Sequence, residues 1–148
     1  MEDRPRVSIT PIIVMVVDFF WGWMISVFVR PWMIGLLRRS PLEASQLIDE
    51  TIEPRLWISY AVVLVAQLCW VNLIIPRYQS PRLLRKIWWI GCLIITLCSL
   101  LVHQGLMLTA EPQLLIFAVQ LADLVLLYWL TTRLLSPLPQ RKVIPGWW

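Results

Sequence analysis

The sequence predicts an all-α integral membrane protein: four transmembrane helices in an antiparallel bundle, plus a short amphipathic helix in the first loop. Three observations carry this. Of 148 residues, 59% are hydrophobic and only 15% charged, where a soluble domain holds about 25% charged residues. Mean hydropathy is +0.71. Four apolar stretches, at about 12–29, 57–75, 87–108 and 113–135, each approach the ~20 residues a helix needs to cross a hydrocarbon core of roughly 30 Å.

Proline punctuates these stretches. Thr10-Pro11, Ser40-Pro41, Glu53-Pro54, Ser80-Pro81 and Glu111-Pro112 each precede a helical segment, and Ser136-Pro137 follows the fourth span. Proline suits the first turn of a helix, where its missing N–H would be unpaired anyway. A Ser or Thr before it can cap the remaining donors.

The first span has Asp18, Gly22 and Ser26 at intervals of four, along one side of a helix. Small residues on such a stripe let a second helix approach closely. The run is too long for a signal peptide, contains Asp18 and lacks a small-x-small cleavage pattern, so it reads as a retained span.

The loop that follows predicts a helix over about 41–50. Ser40 and Glu43 have capping-box spacing. Leu42, Leu47, Ile48 and Ile52 alternate with acids, which suits a helix in the membrane interface or docked on a partner. Trp32 to Leu37 is apolar and reads as interfacial too.

The second span places Gln67 near its midplane, with Tyr60 and Val71 on the same side. Arg77, Arg82, Arg85 and Lys86 then form the densest basic cluster. On the third span Cys92, Thr96, Ser99 and His103 make a single stripe, at spacings of four, three and four. The link to the fourth span, around Ala110-Glu111-Pro112, is so short that these two helices must be antiparallel neighbours. The fourth span carries Gln120 and Asp123 near its centre, and a Pro-rich basic tail occupies 136–148.

Four spans put both termini and the middle loop on one side. That side holds nine basic residues (Arg4, Arg6, Arg77, Arg82, Arg85, Lys86, Arg133, Arg141 and Lys142). The other holds four: Arg30, Arg38, Arg39 and Arg55. The excess predicts cytoplasmic N- and C-termini. The same anchoring accounts for the net charge of +4. No basic helix or aromatic platform indicates nucleic-acid binding.

Asp18 and Asp123 are the leading candidates for function. A carboxylate at mid-bilayer depth costs about 2.5–3.5 kcal/mol on insertion scales, so each should face protein or water. No Lys or Arg lies deep in a span to neutralise them. Each is therefore protonated or meets a cation: a proton, a metal ion or a basic group of another chain. The plain structural reading is a protonated Asp bonded to Gln120, Thr96 or Gln67. Gly22, Ser26, Cys92 and Ser99 read as helix-packing residues. His103, the only histidine, could ligate a haem or chlorophyll metal or shuttle protons. Its plain reading is an interhelical hydrogen bond.

Cys69, Cys92 and Cys98 show no metal-ligand spacing and read as packing residues. Nucleophile elbows, zinc motifs, P-loops and dinucleotide turns are missing, so the chain is not expected to be an enzyme. The sequence names no cofactor. The first functional expectation is a non-catalytic subunit or assembly factor of a larger membrane complex. Its expected partners are lipid and other membrane subunits or further copies, docked on Asp18, Gly22, Ser26, Gln120 and Asp123. The alternative is a small proton- or cation-coupled transporter or channel using the two acids, with Gln67, Thr96 and Gln120 as polar lining. A third is an accessory subunit binding a pigment or quinone, with His103 as ligand.

Overall fold

Proline shapes the helices in two ways. Ser40 accepts the Glu43 N–H at 3.3 Å, with Pro41 in the first turn, and so starts α2 (Pro41–Leu47). Pro54 and Pro76 fall inside longer helical runs. Each is preceded by a wider π-helical turn, Ile48–Ile52 and Trp70–Ile74. A proline ring crowds the carbonyl four residues back and cannot bond to it. A π turn opens the helix at that point.

In the computed structural model, which describes residues 10–37, 39–107 and 111–145, the chain is helical with no strand among those residues. Helix α1 is Thr10–Leu36. After α2 and the first π turn come α3 (Glu53–Cys69), the second π turn and α4 (Ile75–Arg77). Then follow α5 (Pro81–Met107), α6 (Glu111–Leu135) and α7 (Leu138–Arg141). Arg4, Arg6, Arg38, Ala110 and the Trp147-Trp148 pair lie outside the described residues.

Four helices are long and apolar enough to cross a membrane: Pro11–Leu36, Pro41–Arg77, Pro81–Gln104 and Leu114–Leu135. They alternate in direction. Helix α3 packs against α1, α5 and α6, α6 also touches α1 and α5, and so α3 and α6 form the centre.

Two boundaries differ from the sequence expectation. The first helix does not stop at Val29 but continues through Pro31, so Trp32–Leu36 belongs to it. The helix that begins at Pro41 does not end near Glu50. It runs through the first π turn into α3, giving one helical run of 37 residues. Packing explains both. Met33 and Leu37 meet Ala44, Ile48, Ile52 and Ile116 in a small apolar core. Arg30 bridges the same contact, with Nη1 at 2.7 Å from Asp49 and 3.5 Å from Glu53.

Polarity is inverted relative to a soluble bundle. Phe28 is 73% exposed and Phe19 67%, while Gln67 and His103 are fully buried. Apolar outside and polar inside is compatible with a multi-pass membrane protein.

Below, the side of the bundle bearing Thr10, Tyr78 and Ser136 is called the terminal side. The side bearing Leu37 and α2 is called the loop side.

Candidate functional site

The centre of the bundle is built by three helices around Asp123. Its Oδ1 accepts the Trp21 indole N–H of α1 at 2.7 Å. Its Oδ2 accepts the Tyr60 hydroxyl of α3 at 2.5 Å. One carboxyl on α6 thus ties α1 and α3 together, each oxygen taking one donor. Interhelical hydrogen bonds in membranes are worth about 0.6 kcal/mol on average and up to about 1.7. Gly22 permits the approach. A methyl group there would come within 3.1 Å of Trp57 and Tyr60 ring atoms.

Asp18 is in the opposite condition. It is 4% exposed, and neither carboxyl oxygen has a hydrogen-bond partner among the described residues. It sits one turn from Trp21 on α1. The carboxamide of Gln67 lies close to it, yet both Gln67 polar atoms are unpaired by hydrogen-bond geometry.

Unpaired polar atoms continue toward the loop side: Ser26 Oγ, Ser99 Oγ, both Gln120 atoms, His103 Nε2 and Arg55 Nη1. An unsatisfied buried polar group costs about 1–3 kcal/mol. Several together rival the ~5–15 kcal/mol stability of a whole fold. Groups of this kind are ordinarily met by water, an ion or a ligand. His103 Nδ1 lies 2.9 Å from the Ser99 carbonyl. A carbonyl only accepts, so Nδ1 carries the proton and Nε2 of the neutral ring is a free acceptor. The ring packs on Phe117 at 5.5 Å.

The terminal half holds hydrogen-bonded groups, with Gln140 Oε1 the exception among the described residues. Trp70 Nε1 donates to Ser136 Oγ and Trp88 Nε1 to Thr132 Oγ1, both at 3.0 Å. Trp88 also stacks on Tyr128 at 5.6 Å. Past α6 the chain folds back, burying Val143 and Ile144. The Pro145 carbonyl accepts from Trp129 Nε1 at 2.5 Å and Arg133 Nη1 at 3.1 Å.

The structure buries Asp18, Gln67, Gly22 and Gln120, half-buries Asp123 between α1 and α3, and lines a small inner cavity with Ser26 and Gln120. Thr96 is elsewhere. It bonds back to the Cys92 carbonyl at 2.9 Å and lines an outward cleft beside Ala118 and Ala122. Cys92 and Ser99 are buried on α5. The three cysteines are free thiols. No group of three or more His, Cys, Asp or Glu could hold a metal ion among the described residues. Trp21, Tyr60 and Arg55 are site residues that sequence reasoning missed. The signals were the Asp18–Trp21 spacing of three and the Tyr60–Gln67 spacing of seven, each one face of a helix.

No protein-family model, curated protein or solved structure matches this chain. Functional inference therefore rests on the site itself.

Proposed function

We propose that the chain is a small membrane transporter or channel that binds a proton or small cation at Asp18. The observation that carries this reading is the pairing of two unlike interior carboxyls. Asp123 accepts one donor on each oxygen. Asp18 is buried close to the neutral Gln67 carboxamide, and neither of its oxygens makes a hydrogen bond of good geometry among the described residues. A buried acid without a donor or a basic neighbour is suited to taking up and releasing a cation. Asp123 then serves as the fixed polar post that positions α1 against α3. In proteoliposomes, Asp18→Asn should abolish proton or cation flux while the protein still inserts and folds. Unchanged flux in that variant, or no flux in the parent protein under any imposed ion gradient, would count against this function.

The docking reading keeps one specific support. The stripe expected to meet a partner, Asp18, Gly22 and Ser26, faces inward or is half-buried. Outward clefts lie instead on both flanks of α5. One, of about 440 Å³, is lined by Ala61, Ala66 and Gly91, and the other, of about 630 Å³, by Ala118 and Ala122. Small residues four apart on a membrane-facing helix favour helix association. As a subunit or assembly factor, the chain should retain a stoichiometric partner through mild detergent, and a clean monomer would argue against it.

A further inference from the structure

Polar groups are treated differently in the two halves of this bundle. In the terminal half, Trp70, Trp88, Thr131, Thr132 and Ser136 are buried and hydrogen-bonded, and Gln140 Oε1 on α7 is the one buried polar atom there with no partner among the described residues. In the loop half, Ser26, Ser99, Gln120, His103 and Arg55 hold buried atoms with no partner among the described residues. There Ser59 bonds back to the Arg55 carbonyl of its own helix. The boundary falls near Asp18 and Gln67.

The unpaired groups are spaced as a ladder. Gln120 is three residues from Asp123, a rise of about 4.5 Å along α6. Ser26 is five residues beyond Trp21 on α1, and Arg55 five before Tyr60 on α3, each about 7.5 Å toward the loop side. His103 lies level with Phe117, about 9 Å above Asp123. These rises along the helix axes set the order of the groups from Asp123 toward the loop side. A cavity of about 20 Å³ already joins Ser26 and Gln120, and its lining continues to Arg30 and Glu53 at the loop end. One water needs roughly 10–15 Å³ measured this way, and two to four polar partners.

We propose that the loop half is a hydrated path leading from the α2 side to Asp18, and that the terminal half is a dry plug. In this conformation a proton or small hydrated cation reaches Asp18 from the loop side only, and transfer to the other side requires the plug to open. The identity of the cargo rests on the transport reading above; the one-sided hydration does not.

Hydrogen–deuterium exchange of side-chain N–H groups tests this in the wild-type protein, by ¹⁵N NMR in lipid bilayers. The Gln120 carboxamide should exchange at least about a hundredfold faster than the Trp70 and Trp88 indoles. Equal rates, or faster exchange at the two indoles, would overturn the path. Sidedness is read with Ser26→Cys and Gln120→Cys, in a background with Cys69, Cys92 and Cys98 changed to Ser. Silver ion is the small thiol probe. Both thiols should be blocked from the side that blocks Gln46→Cys, and Thr132→Cys from neither. Blocking from the side that reaches Tyr78→Cys would reverse the assignment and sink it. Rapid exchange and correct sidedness without any flux would leave the path standing and remove the transport function instead.

Discussion

Asp18 and Asp123 are chemically identical, and their neighbours make them different. Asp123 has a donor for each oxygen; Asp18 has none among the described residues. Trp21→Phe and Tyr60→Phe each remove one donor to Asp123. Each should lower stability by about 0.6–1.7 kcal/mol. Because both donors share one acceptor, their effects should not add. Reversible unfolding of the single and double variants in mixed micelles measures this, and strict additivity would show that the carboxyl does not couple them. The interior location of both acids was legible in the sequence, since a carboxyl in an apolar run has nowhere else to go. Their partners were not. Trp21 and Tyr60 are amphipathic, and an aromatic in a span reads equally well as lipid-facing until the neighbouring helix is placed.

At the level of the helix, tertiary contacts decide where each element stops. Arg30-Pro31 reads as a terminus because proline breaks a local bond, yet α1 continues because Met33 and Leu37 find a core against α2. The run that starts at α2 continues through the first π turn into α3. Local signals at Ser40 and Pro41 did give the correct start. The two π turns had a visible cause in Pro54 and Pro76, but a proline inside an apolar run is equally consistent with a break. The Arg30 ion pairs lie in partly exposed positions, so they contribute under about 1 kcal/mol to global stability. Their effect should be local. Arg30→Ala should speed backbone hydrogen exchange across Pro41–Ile52, leaving Leu56–Gln67 unchanged; uniform acceleration would show that α2 does not open on its own.

For the molecule as a whole, four alternating helices and an apolar exterior set the topology. Gln46→Cys and Tyr78→Cys, each introduced alone, should react with an impermeant thiol reagent from opposite faces of the membrane. Reaction of both from one face would require a different number of crossings. The number and direction of helices could be read from hydropathy and loop length. The contrast between a wet half and a closed half could not, because it depends on which indoles reach Ser136, Thr132 and Pro145 across the bundle. That last contact also has a consequence for turnover. Trp129 and Arg133 share one acceptor, the Pro145 carbonyl, so a chain that stops short of it leaves both donors unmet. A stop codon placed between Arg133 and Val143 should therefore yield a protein that is cleared faster by proteases than the parent.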